Sequence, residues 1–181
     1  MIVGNGDIAS VLPDRDDICF FAAGVSNSQE MREEEYGREY KLLMEQPSGR
    51  HLVYFSTLSV FYSTGRYVEH KKRMEAVVRE NFTHWTIIRI GNITWGTNPH
   101  TIINFFRQQF LDGETPTFQD VDRYILDEAE FLHWIGLIPA WNCEMNVPGK
   151  RMKPRDIWFR YTAHLAHEGD DIMRKARPVS V

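Results

Sequence analysis

Four times between Met1 and Gly113 a short, unbroken apolar run is followed by a stretch of helical character. "MIV" leads into a glycine turn and "GDIASVL"; "DICFFAA" leads into "SQEMREEEYGREYKLLMEQ"; "HLVYFST" leads into "GRYVEHKKRMEAVVREN"; and "WTIIRI", after a loop, leads into "TIINFFRQQFLDG". A strand covered on one face alternates apolar and polar residues, whereas a strand covered on both faces is apolar throughout. Runs of the second kind taking turns with helices predict an α/β fold, a parallel sheet with right-handed crossovers. Four main strands flanked by helices are expected. After Gly113 the pattern weakens: "RYIL" and "EMNV" are candidate short strands, and "DEAEFLHWIGLI" and "KPRDIWFRYTAHLAHE" read as helices. A length of 181 residues without repeats or low-complexity linkers suits a single domain spanning 1–181, with 113–181 as a small helical cap.

Composition excludes several classes of function. No segment approaches the roughly 18 consecutive apolar residues that a membrane span needs, so no membrane association is expected. The net charge of -4, with acids and bases interspersed, offers no basic footprint for nucleic acid. The start "MIVGNGDIAS" has neither a basic leader nor a long apolar stretch, and Cys19 sits in the apolar run "ICFFAAG", as a buried, reduced thiol would. These features predict a cytoplasmic protein. The cluster "MREEEYGREYK" reads as the solvated face of a helix. Glu130 with His133, or His164 and His167 with Glu168, share helical faces, but no third ligand is identifiable and no metal is expected. Phe105, Phe106, Trp134, Trp158 and Phe159 have the spacing of core or subunit contacts.

In open parallel sheets ligands gather beyond the carboxyl ends of the strands, so the chemistry is sought there. The first end, "GNGDIA", carries Gly4 and Gly6, which would let backbone amides approach a pyrophosphate; a plain tight turn explains them equally well. The second, "AAGVSNS", places the small residues Ala22, Ala23 and Gly24 where a ring or ribose can lie against backbone, or where close packing requires them. The third carries the most chemistry. Tyr67 and Lys71 are four residues apart at the start of a helix, so both heads reach the same space. An ammonium near a phenol favours the phenolate and predicts a tyrosine titrating below its ordinary value of about 10. Thr57 or Ser56, at the adjacent strand end, would hold a substrate oxygen.

Taken in order, these segments resemble the short-chain dehydrogenase/reductase superfamily, in its extended and atypical branch, which includes nucleotide-sugar epimerases and dehydratases. "GNGDIAS" is similar to the glycine-rich cofactor turn, "FFAAG" to the alanine-rich fourth strand, "YFSTLSVF" to the active-site strand, and "YVEHK" to the tyrosine and lysine motif. "RIGNITWG" is similar to the arginine, asparagine and glycine segment, and "GETPTFQDVDRYILDEAEF" to the late segment leading into the substrate-side helices. The resemblance implies a Rossmann-like fold, NAD or NADP as cofactor, and hydride transfer at a carbon bearing oxygen on a carbonyl or sugar-like small molecule. It implies catalytic roles for Thr57, Tyr67 and Lys71, the last also binding ribose. Cofactor contacts are implied at Gly4, Gly6, Asp7, Ile8, Ala22, Ala23, Gly24, Lys71 and Ile90, and substrate contacts at Ser59, Asn92 and Arg123. A homo-oligomer assembled through the helices that begin near Glu30 and Tyr67 is implied as well.

The chain also departs from that pattern. Only 18 positions separate Gly4 from Ala22, where the family inserts two more strands and helices, so the residue that reads the adenosine ribose has no counterpart. Arg15 is the candidate substitute. Thr57 and Tyr67 are only ten positions apart, and no asparagine stands within "EEEYGREYKLL" to relay a proton. Two classes of function follow: an oxidoreductase or epimerase of this superfamily, or a catalytically weak relative that binds a nucleotide or another protein.

Overall fold

The structure, a computed structural model, describes residues 1–118 and 120–175, without the side chains of 164 and 166–175. In chain order the elements are β1 (Ile2–Val3), β2 (Ile18–Phe21), α1 (Glu33–Met44), β3 (His51–Thr57), α2 (Arg66–Asn81), β4 (Trp85–Ile90), β5 (Asn92–Ile93), α3 (Ile102–Leu111), β6 (Arg123–Leu126), α4 (Glu128–Gly136), β7 (Cys143–Val147), β8 (Lys150–Met152) and α5 (Pro154–Lys175). Five strands form one parallel sheet in the order β1-β2-β3-β4-β7. It is a Rossmann-like α/β arrangement.

Neighbouring residues on the central strands divide between two cores, which is why the runs are apolar throughout. Phe20, Val53 and Ile88 join Phe131 and Ile135 of α4 on one face. Phe21, Tyr54 and Ile87 join Leu43 of α1 with Met74 and Val78 of α2 on the other. Stripping either face would expose large apolar side chains, each contributing about 1.5–3 kcal/mol when buried. A third cluster joins α3 to α5 through Ile103, Phe106, Ile157 and Trp158. Phe105 and Phe159, expected in core or subunit contacts, lie outside this core and are exposed on the chain.

Two expectations change. The first crossover, "GDIASVL", shrinks to a single 3-10 turn at Ala9–Val11, because Leu12 precedes Pro13 and the residue before a proline is pushed out of helical geometry. The segment from residue 113 onward is more than a helical cap. It supplies β7 as a fifth strand of the main sheet, while β6 and β8 pair with β5 in a second, three-stranded sheet. An edge strand needs only one covered face, so "CEMNV" alternates in burial and lacks the continuous apolar signal of the central strands.

Candidate functional site

The carboxyl ends of β1 to β4 open into a cleft of about 740 Å³. Gly4, Gly6, Asp7 and Ile8 line it after β1, Ala22, Ala23 and Gly24 after β2, and Thr57 and Ser59 after β3. Tyr67 and Lys71 reach it from α2, Ile90 and Asn92 from β4 and β5, and Arg123 from β6. All fourteen residues to which the resemblance gives catalytic, cofactor or substrate roles therefore line one space. None of its lining residues lies between 9 and 20.

Two of the glycines are required by close approach. Gly4 has φ +122°, a left-handed conformation that side chains disfavour, and a Cβ there would stand 2.6 Å from the Ala22 carbonyl oxygen. The first turn is thus laid directly against the exit of β2. At Gly24 a Cβ would fall 2.6 Å from Lys71 Nζ and 2.9 Å from Glu39 Oε1, so the backbone of the cleft wall rests on that ion pair.

The pair overturns one expectation. Lys71 Nζ donates to Glu39 Oε1 at 3.0 Å and to the Tyr54 hydroxyl at 3.2 Å, and it lies 5.9 Å from the centre of the Tyr67 ring. Its charge is balanced by a carboxylate rather than aimed at the phenol. Burial and the Glu39 carboxylate push the half-buried Tyr67 phenol above its ordinary range, and the Thr57 hydroxyl opposes them only in part. The phenol is neutral rather than acidified.

Glu39 is the site residue that sequence reasoning misses, since "MREEEYGREYK" reads as a solvated face. Glu33, Glu34 and Arg38 are indeed exposed, but Tyr36 and Glu39 are buried, Glu39 completely. Its carboxylate accepts from the Tyr54 hydroxyl at 2.7 Å and the Val25 amide at 2.7 Å, and it pairs with His70 Nε2 at 3.0 Å besides Lys71. Burial opposes its ionised form, yet Lys71 and these hydrogen bonds outweigh burial and hold the carboxyl well below the usual range. A signal was present. Glu39 lies between Tyr36 and Leu43 at helical spacing, on the stripe that α1 turns to the sheet.

The choice between the two β3 hydroxyls also narrows. Ser56 donates to the buried Glu75 at 2.7 Å, and Glu75 in turn receives the Arg89 guanidinium at 2.8 and 2.5 Å. Thr57 accepts from the Ser59 amide at 3.1 Å and turns its own proton toward the Tyr67 phenol. Asn92 donates its side-chain amide to the Tyr124 carbonyl at 3.1 Å, leaving its oxygen to accept. Arg123 Nε is buried without a hydrogen-bond partner among the described residues.

Asp7 lines the cleft, but its carboxylate is taken up by the Thr97 and Asn98 amides at 3.0 and 2.9 Å, and its carbonyl by the Trp95 indole at 2.9 Å. Asn98 then donates to the Ser26 hydroxyl at 3.1 Å, so the 95–98 loop is strapped over the exits of β1 and β2. Arg15 is held by Asp17 at 3.1 and 2.7 Å and does not reach the cleft.

No family model matches the chain, and no curated protein matches it. Its architecture is nevertheless similar to solved structures. The enzyme WbmG of Bordetella bronchiseptica in complex with NAD superposes with a TM-score of 0.65 at 16% identity, over 82% of this chain and 56% of that one. UDP-glucose 4-epimerase of Thermus thermophilus in complex with NAD gives 0.59 at 16%, over 83% and 62%. dTDP-glucose 4,6-dehydratase of Bacillus anthracis in complex with NAD gives 0.63 at 14%, over 83% and 57%. The chain has the fold of the NAD-dependent epimerases and dehydratases. At 56% to 62% of their length, it spans little more than half of these structures.

In this epimerase/dehydratase fold the cleft lies at the carboxyl ends of the parallel strands. The left-handed Gly4, the small Ala22–Gly24 segment and the hydroxyl, phenol and ammonium of Thr57, Tyr67 and Lys71 all border it. On the β1 side no further strand supplies a wall, because β1 is the edge of the sheet. No helix among the described residues is long and apolar enough to cross a membrane. No group of three His, Cys, Asp or Glu side chains positioned for a metal occurs among them, and the side chains of His164, His167 and Glu168 lie outside them.

Proposed function

We propose that this chain binds NAD or NADP in the cleft and acts as an oxidoreductase or an epimerase/dehydratase on a carbonyl or sugar-like small molecule. The observation that carries this reading is the convergence of Thr57, Tyr67 and Lys71 with the glycine turn at Gly4 on one cleft. When bound, a nicotinamide ring accepts or returns a hydride at a carbon bearing oxygen. Tyr67, held in its neutral form, is suited to give a proton to a substrate oxygen that is gaining charge. Thr57, whose proton is turned toward the Tyr67 phenol, stands beside the same oxygen and can donate to it when substrate is bound. Lys71, with two of its three protons directed to Glu39 and Tyr54, has one left for a ribose hydroxyl. Ser59 and Asn92 orient the substrate, and the Arg123 guanidinium, which lines the cleft, offers its charge to a phosphate.

The same proposal takes 113–181 as the substrate-side part of a single domain, a cytoplasmic setting with Cys19 and Cys143 as free thiols, and a homo-oligomer built through α1 and α2. The test is calorimetric titration with NAD, NADH, NADP and NADPH, followed by turnover assays on nucleotide sugars with wild type and Tyr67→Phe. Saturable binding by both proteins and turnover by wild type alone is the expected result.

A second reading is favoured by the Glu39 and Lys71 pair. A lysine bound to a carboxylate, beside a phenol held neutral, suits a catalytically weak nucleotide-binding relative. Binding without turnover, unchanged by Tyr67→Phe, would select it; no binding at about millimolar nucleotide would exclude both.

A further inference from the structure

We infer that the cleft recognises the nicotinamide mononucleotide half of the coenzyme and gives the adenosine half no specific seat, an inference that rests on the nicotinamide-nucleotide reading above. Doubly wound sheets hold a dinucleotide as two mononucleotides on two halves of the sheet, one on each side of the first strand. Here β1 is the outermost strand, and the half beyond it is absent. Between Val3 and Ile18 the chain makes one 3-10 turn at Ala9–Val11 and no further strand.

Three observations turn that topology into chemistry. The acid that reads an adenosine ribose commonly stands about 20 residues past the glycine turn, and at that distance this chain has Gly24, Val25 and Ser26, none of them acidic, with the Ser26 hydroxyl accepting from Asn98. The charged candidates on that side are engaged: Arg15 lies outside the cleft, held by Asp17 through both Nε and Nη2, and Arg38, which lines it, donates to Glu35 at 3.0 Å and to the Ala23 carbonyl at 3.2 Å. The strap from Asp7 through Asn98 to Ser26 crosses the β1–β2 end and takes up the polar side chains of all three residues in contacts with one another and with the Thr97 amide. Thr57, Tyr67, Lys71, Asn92 and Arg123, the side chains the proposed function uses, border the cleft from β3, α2, β5 and β6, whereas its polar lining on the β1–β2 side includes Asn5, Ser26, Ser28 and Arg38. An adenosine moiety attached to a bound nicotinamide nucleotide would project past the sheet edge into solvent.

The inference is tested on the wild-type chain by equilibrium binding of NADH and of reduced nicotinamide mononucleotide, with AMP and ADP-ribose as competitors. The two nicotinamide ligands are expected to have dissociation constants within about tenfold of each other, and AMP at about 100-fold excess is expected to displace neither. Displacement by AMP or ADP-ribose, or NADH binding more than about 100-fold tighter than the mononucleotide, overturns the inference while leaving the nicotinamide reading intact. Binding of neither nicotinamide ligand overturns that reading and the inference with it.

Discussion

At the scale of single residues the site is governed by a charge that the fold hides. Glu39 and Lys71 are 0% and 3% exposed, so each is tolerable only because the other is there. Replacing Glu39 by Gln strands the ammonium and is expected to cost about 3–5 kcal/mol in chemical denaturation, whereas the double replacement E39Q/K71M recovers most of that loss. The same Glu39→Gln change removes a negative neighbour from Tyr67 and unbalances Lys71. Both effects favour the phenolate, so the Tyr67 titration, read by ultraviolet difference absorbance with Tyr67→Phe subtracted, is expected to shift downward. Acid stability follows from the same carboxyl. Its folded value lies below its ordinary value, so the unfolded chain takes up the proton first as pH falls. The stabilisation is complete above about pH 4.3 and is lost progressively below it. Urea midpoints that stay flat across that range would contradict this account.

At the scale of elements, the cleft depends on loops tied to one another. The Asp7 carboxylate binds the amides of Thr97 and Asn98, and a Cβ at Gly96 would collide with the Asp7 carboxyl carbon. Asp7→Ala is expected to cost about 1–3 kcal/mol and to remove hydrogen-exchange protection from the Thr97 and Asn98 amides, leaving β3 and β4 protected. The strands and helices themselves are legible in the sequence, because burial on both faces writes an unbroken apolar run and burial on one face of a helix writes a period. The strand-end residues are legible for a related reason: a parallel sheet brings all its carboxyl ends to one side. Three things are not. "CEMNV" carries a weak signal because an edge strand is only half covered. The 3-10 turn at Ala9–Val11 is masked by an apolar stretch of helical character that Pro13 cuts short. The burial of Glu39 arises from side chains of β3 and α2, Tyr54 and Lys71, which no local pattern in α1 can announce.

At the scale of the whole molecule, the surface of α1 bears on assembly. Tyr40 and Met44 are exposed on that helix and Met31 just before it, whereas the outer positions of α2 are Arg66, Glu69, Lys72 and Arg73. An oligomer built through these helices would set apolar residues of α1 against charged residues of α2. Light scattering on wild type and a Tyr40→Lys/Met44→Lys variant tests it: the wild type is expected to be larger than a monomer and the variant monomeric, since the new ammoniums would be buried against the like charges of Arg66, Lys72 and Arg73. The opposite side of the main sheet is guarded differently. On β7, Glu144 is drawn to Arg79 at 2.6 Å and to Arg89 at 2.7 Å, and Asn146 receives Arg89 at 3.4 Å. A stray extended peptide seeking to lengthen the sheet at that margin meets a strand studded with polar groups already clamped to the body of the protein. The edge least evident in the sequence thus carries charged and polar side chains, one of the means by which an edge strand discourages further pairing.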